Sequence, residues 1–442
     1  MAGVIEVDAA QGLDGDDAAQ SWGRLRILVI ALCFMLSMLD GADLLVMSFV
    51  APRLAEQWSV SAESLGVLFS ASLAGMALGC LFVAPLADRF GRRVMILGAL
   101  ALVSAAMIIS GFVTTVPQLM LARLFVGIGV GTIGVSMTAM AAEYAPRRFA
   151  NFAVGFVQAG WPLASVITAF VAVAVIPHSG WQVLMVGIGV LSALLLVIVT
   201  LFLPESMVFL VKRQPEGALQ KLNKLRQRLD LAPLTILPER AKDGAKFSVA
   251  ALFHDGRTRS SILLWTAVTL GYFVLYFVIS WIPKLSAQAG LPVADAIYAG
   301  ATYNAGAFVG TTAIGWLAVR YQVSRVIAVF FGLAMIFMLL FGGVSLSVTL
   351  TLIVAGCIGM TVGGGFNGFW GLAAMLYPAE MRGTGVGWAL GVGRIGAVLG
   401  PIVGGFLVGA DLPISLIFAI YSVPLVIAAL LCLMIRMPEA ST

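Results

Sequence analysis

The sequence predicts an all-α polytopic membrane protein of twelve transmembrane helices, arranged as two pseudo-symmetric six-helix bundles. Three observations carry that prediction. Hydrophobic residues make up 61% of the chain, charged residues only 11%, and long apolar stretches recur in two blocks of six. A soluble domain carries about 25% charged residues, so lipid must cover most of this surface.

The spans fall near 26–50, 63–85, 94–113, 117–141, 149–175 and 181–203, then 261–283, 294–318, 324–343, 347–371, 383–409 and 413–436. Each is long enough for a hydrocarbon core of roughly 30 Å at about 1.5 Å per helical residue. Residues 1–25, polar and acidic (Glu6, Asp8, Asp14, Asp16, Asp17), read as a disordered cytoplasmic tail with no cleavable signal. The first bundle is 26–203, the central loop 204–260, the second bundle 261–436 and the C-terminal tail 437–442. In the central loop, Leu219, Leu222, Leu225 and Leu229 recur at helical spacing among Lys221, Lys224, Arg226 and Arg228. That pattern predicts an amphipathic helix on the cytoplasmic surface.

Charge placement predicts orientation. With both termini cytoplasmic, Arg53 and Lys284 are the basic residues of the outside loops, and Arg123 and Arg394 lie within spans. Every other Lys and Arg falls inside, as the positive-inside rule requires. Basic residues gather on no soluble domain, which excludes nucleic acid as a partner. Cys33, Cys80, Cys357 and Cys432 sit singly in apolar segments and read as packing thiols. His178 and His254 are far apart in predicted loops, so no metal site, triad or other enzyme constellation is visible.

The first span holds Asp40 and Asp43, three residues apart and hence on one helical face. A carboxylate near mid-membrane costs on the order of 3 kcal/mol on insertion scales and must face a protein interior or a water-filled cavity. Asp43 lies nine residues before Pro52, about 13 Å below the outer surface, and Arg123 six residues after Pro117, about 9 Å below it. An Asp43–Arg123 or Asp40–Arg123 pair is therefore expected, as a protonatable couple or as a permanent ion pair fixing two helices. Arg394 lies about 16 Å into the eleventh span. Its planar guanidinium suits a substrate carboxylate or, alternatively, backbone carbonyls of a glycine-rich helix. Gln158, Asn304 and Asn367 can hydrogen-bond a substrate or a neighbouring helix. An aromatic slot can be drawn from Trp161, Tyr272, Tyr276, Tyr303, Phe366, Phe369 and Trp370, with Trp161, Tyr276 and Trp370 the chosen candidates. At the cytoplasmic helix ends, Asp88, Arg89, Arg92, Glu143, Glu380 and Arg382 can form ion pairs present in one conformation of a gate and not in the other.

The two blocks echo each other. Ala84-Pro85-Leu86-Ala87-Asp88-Arg89-Phe90 after span two aligns with Gly315-Trp316-Leu317-Ala318-Val319-Arg320-Tyr321 after span eight. Internal duplication with a site between the halves is a transporter arrangement.

Over nearly its whole length the chain resembles the major facilitator superfamily. The resemblance rests on Asp88-Arg89-Phe90-Gly91-Arg92-Arg93, on Arg123-Leu124 followed by Gly127, Gly129 and Gly131, and on Pro204-Glu205-Ser206. Ala84 stands where the first motif usually has glycine. Within the superfamily, Asp40-Gly41-Ala42-Asp43 is similar to the D-G-x-D motif of the aromatic acid:proton symporters, and Trp281-Ile282-Pro283 and Gly393-Arg394-Ile395-Gly396 agree. The resemblance implies proton-driven import of small aromatic carboxylates of the benzoate, hydroxybenzoate or protocatechuate type, by alternating access across the cell (inner) membrane. The proton is the coupling ion, no other cofactor is expected, and the chain is expected to act as a monomer. The competing readings are a porter for another organic acid or sugar, or a drug/proton antiporter.

Overall fold

The computed structural model describes residues 22–237, 252–254, 257–344, 346–378 and 381–435, without the side chains at 147, 151 and 382. Most of the expected N-terminal tail, part of the central loop, Glu380 and the C-terminal tail lie outside the described residues.

In lipid each backbone N–H and C=O must be satisfied within its own segment, and helices alone fill this chain's apolar stretches. The first bundle consists of α1 (Arg24–Trp58), α2 (Ala62–Leu78), α3 (Arg92–Ser110), α4 (Val116–Tyr144), and α5 and α6, the two arms (150–179 and 181–202) of Ala150–Phe202. The second consists of α7 (Thr258–Gln288), α8 (Val293–Arg320), α9 (Val323–Gly343), α10 (Val348–Leu376), α11 (Arg382–Gly409) and α12 (Ile414–Met434). Ten helical stretches are long and apolar enough to cross a membrane. One of these contains both α5 and α6, and the more polar α8 packs at full length against α10. The bundle therefore has twelve helices among the described residues.

Helix ends follow local chemistry. Ser61 and Ser347 accept from the backbone N–H three residues on, capping α2 and α10. Ser59 ends α1 in the left-handed region, after a helix that continues beyond the expected 26–50. Residues 176–179, expected to belong to a loop, stay helical up to a kink at Gly180, whose φ of 81° a side chain would strain. α2 ends in a π-turn at Gly79–Val83, a 3₁₀ turn at Ala84–Leu86 around Pro85, and a last turn at Ala87–Phe90. The central segment forms two helices, Met207–Arg213 and Ala218–Arg228. Leu222, Leu225 and Leu229 are buried, so this apolar face packs on protein.

The packing repeats with a step of six helices. Within the halves, α1–α5 matches α7–α11, α2–α4 matches α8–α10, and α3–α6 matches α9–α12; between them, α2–α11 matches α5–α8. Among the described residues, the ring contacts and hydrogen bond joining the halves lie toward one end, where α1, α7 and α11 finish. There Phe69 packs on Trp281 at 5.5 Å, Phe170 on Tyr298 at 5.5 Å, and Ser70 Oγ donates to the Val398 oxygen at 2.6 Å. The halves are thus shut at the end away from Arg24 and Met434. On α6, Leu191, Leu194, Val197 and Leu201 form an exposed apolar stripe, suited to lipid.

Candidate functional site

The acidic face of α1 is fixed by close contact with α5. A Cβ on Gly41 would lie 2.4 Å from the Trp161 main-chain oxygen, so only glycine admits this approach between the two acids. Asp43 is 1% exposed, and both of its carboxylate oxygens are buried without a hydrogen-bond partner. Arg123, fully buried, donates through Nη1 to the main-chain oxygen of Asp43 at 3.1 Å. Its Nη2 donates to Ser110 Oγ at 3.2 Å and to the Met107 sulfur. Arg123 therefore ties α4 to α1 and α3; its hydrogen bond to Asp43 is to the main-chain oxygen, and the carboxylate of the expected pair stays within electrostatic reach of the guanidinium. Sequence spacing sets position along the helices, not the atom that is met.

Asp40 is half-buried, with Oδ1 inside the protein and unpartnered. It lies within electrostatic reach of Arg394 on α11. Arg394 also faces Cys80 on α2 and Tyr272 and Tyr276 on α7. It is half-buried and makes no hydrogen bond or ion pair among the described residues. Gly393 makes room for this arrangement: a Cβ there would sit 2.6 Å from Val268 and 2.8 Å from Tyr272. Tyr272 stacks on Tyr276 at 5.8 Å and 17°, and tilts against Phe366 at 4.3 Å. An acid from one half, a free guanidinium from the other and a tyrosine stack thus converge between the bundles. Such a site can draw in an anion, hold a planar ring and exchange a proton.

The remaining candidates scatter. Trp161 is half-buried against α1 at Gly41, and Gln158 is exposed on α5. Asn304 is buried; its Nδ2 donates to Gly300 O at 2.8 Å while Oδ1 has no partner. Asn367 Nδ2 donates to Thr311 Oγ1 and to Gly363 O, each at 2.9 Å, which ties α10 to α8. Trp370 is 37% exposed and joins none of the rings around Arg394.

The motif residues near the chain termini's end of the bundle form a network within the first half. Glu143 accepts from Arg92 at 2.7 Å, from Ser206 Oγ at 2.7 Å and from the Val208 N–H at 2.8 Å. Glu205 accepts from the Arg93 and Ser206 N–H groups, and its own main-chain oxygen accepts from Tyr144 Oη at 2.6 Å. Asp88 and Arg89 are exposed; the Asp88 main-chain oxygen accepts from Arg213 Nε at 2.8 Å.

Sequence reasoning passed over several polar side chains. Cys80, read as a packing thiol, lies beside Arg394 and donates to Gly131 O at 3.2 Å. Ser110 and Met107 hold Arg123, and Ser37, Ser72, Ser136 and Ser165 carry buried hydroxyls without partners. The signal available was a small polar residue inside an apolar span, which is too common to single out.

The family profile described as Major Facilitator Superfamily matches residues 30–396 and, in a second placement, 299–442. A 4-hydroxybenzoate transporter of Pseudomonas putida is 34% identical over 402 residues, covering 88% of each chain. A gallate transporter of Pseudomonas putida is 31% identical over 93% of this chain and 91% of its own. A benzoate transport protein of Acinetobacter baylyi is 28% identical over 90% and 87%. Among solved structures, a bacterial homologue of the human lysosomal transporter Spinster, in an inward-facing and occupied conformation, superposes with a TM-score of 0.75. It covers 95% of this chain and 100% of its own at 18% identity, a likeness of fold.

Proposed function

The chain belongs to the Major Facilitator Superfamily, and from that premise we propose that it imports small aromatic monocarboxylates together with protons. The observation that carries this reading is Arg394, a guanidinium without hydrogen bond or ion pair among the described residues, opposite Asp40 and beside the stacked Tyr272 and Tyr276. A carboxylate attached to a flat ring matches both features at once. Relatives named for 4-hydroxybenzoate, gallate and benzoate support the same substrate class.

In the cycle, Asp43 and Asp40 are the proton carriers and Arg394 receives the substrate carboxylate. A bare carboxylate held away from water and without a partner is costly, and a proton removes that charge. Loading both ligands leaves a cavity whose charges are matched, so the halves can rock without dragging uncompensated charge through lipid. The chain sits in the cell (inner) membrane as a monomer with both termini cytoplasmic. In that orientation the shut end is outermost and Arg394 faces the cytoplasmic route, the arrangement from which substrate is released.

The test is uptake of labelled 4-hydroxybenzoate into membrane vesicles with an imposed proton gradient. Accumulation that collapses with a protonophore, and that benzoate but not glucose inhibits, is the expected result. Gradient-independent equilibration, or export, removes the reading.

A further inference from the structure

Toward the shut end of the bundle, between α1, α2 and α7, a small cavity is bounded by Met47, Ser48, Phe69, Ser72, Tyr276 and Ser280. Its volume of about 20 Å³ holds a water molecule or a hydroxyl group, not a ring. Tyr276 belongs both to this cavity and to the stack beside Arg394, so one side chain borders the two spaces. Ser72 is 3% exposed, and its hydroxyl is buried with no hydrogen-bond partner. The Ser48 hydroxyl donates to Leu45 O at 2.8 Å, which leaves its lone pairs for an incoming donor. Along α7, Ser280 stands one helical turn, about 6 Å, beyond Tyr276. The cavity is thus a largely apolar recess, completed by Leu44, Leu73 and Ile279, with serines on its wall and Tyr276 linking it to the Arg394 cluster.

We propose that this cavity is the subsite for a hydroxyl on the edge of the substrate ring remote from its carboxylate, and that Ser72 is a specificity-determining residue. The inference rests on the aromatic-acid reading above. With the carboxylate on Arg394 and the ring alongside Tyr272 and Tyr276, the far edge points past Tyr276 to the serines. There a ring hydroxyl donates to Ser48 Oγ and accepts from Ser72 Oγ. A ring bearing only hydrogen or methyl at that edge leaves Ser72 unpaired, and sites built to bond a hydroxyl discriminate against its absence.

The experiment compares uptake kinetics of labelled 4-hydroxybenzoate and benzoate in vesicles holding the wild type, Ser72→Ala or Ser72→Val. The wild type is expected to prefer the hydroxylated acid. Ser72→Ala cuts the ratio of the two kcat/KM values by about 10-fold, through weaker binding of the hydroxylated acid. Ser72→Val, which also fills the space, cuts it further. An unchanged ratio in both variants, or equal loss of both acids, overturns the subsite. Competition against the wild type needs no variant: equal inhibition by 4-methylbenzoate and 4-hydroxybenzoate overturns it as well. Vesicles that carry neither acid overturn the aromatic-acid reading and the subsite together, whereas transport of both with an unaltered ratio overturns the subsite alone.

Discussion

Arg123 donates to the main-chain oxygen of Asp43 at 3.1 Å, while the carboxylate of the same aspartate has no hydrogen-bond partner. The arginine thereby anchors α1 through its backbone, and the carboxylate proposed to carry the proton lies within electrostatic reach of it without a hydrogen bond. An aspartate placed in this way can gain and lose a proton while the helix stays anchored, which separates positioning from coupling.

Asp43→Asn is therefore expected to leave the fold intact and to abolish accumulation against a gradient, and Asp40→Asn to do the same. Arg123→Gln removes ties to α1 and α3 and is expected to lower stability by about 1–3 kcal/mol, as for a buried hydrogen-bonding group that loses its partner. Thermal unfolding in detergent, read beside vesicle uptake, distinguishes the two. Wild-type accumulation by both asparagine variants would remove the coupling role.

Arg394 is predicted to act through its geometry as well as its charge. Arg394→Lys keeps a cation but loses the planar fork, so KM for the aromatic acid is expected to rise about 10-fold, equivalent to roughly 1.4 kcal/mol. Arg394→Ala should eliminate saturable uptake. Equal KM values for Arg394→Lys and wild type, measured at matched protein levels, would show that the guanidinium does not hold the substrate.

Asn367 joins α10 to α8 through Thr311, and it also donates to Gly363 O within its own helix. Asn367→Ala is expected to cost about 0.6 kcal/mol of stability, the average worth of an interhelical hydrogen bond in a membrane protein, with KM unchanged. A selective rise in KM with no change in unfolding would transfer this residue to the substrate site.

Glu143 and Asp88 are expected to behave differently although both belong to the same motif region. Removal of Glu143 takes the buried ion-pair acceptor from Arg92 and an acceptor from Ser206 Oγ and the Val208 N–H, so Glu143→Ala should destabilise the protein by about 3–5 kcal/mol. Asp88 is exposed, so Asp88→Asn should leave unfolding unchanged and alter only the rate of transport. Parallel melting curves and initial rates decide this.

Proton coupling carries its own pH signature. Uptake at a fixed inside pH is expected to rise as the outside pH falls, because protonation precedes inward movement, and Asp43→Asn should flatten that dependence. A profile of the same shape in the variant would assign the proton to another group.

The sequence by itself determined the apolar helical architecture, the two-block organisation and the place of Asp40, Asp43, Arg123 and Arg394 inside long apolar helices. Hydropathy and helical rise act along the chain, and both are written directly in residue order. Tertiary structure decided which atoms meet. It placed Arg123 on a backbone oxygen, brought Arg394 to face Asp40 across the two halves, and sent Asn367 to a neighbouring helix and Trp370 outward. It also enclosed Ser72 beside Tyr276. The azimuth of a side chain depends on helix rotation, on the π-turn at Gly79–Val83 and on glycine-mediated approaches such as Gly41 to Trp161. Those are settled by packing between distant segments, and no local pattern in the chain records them.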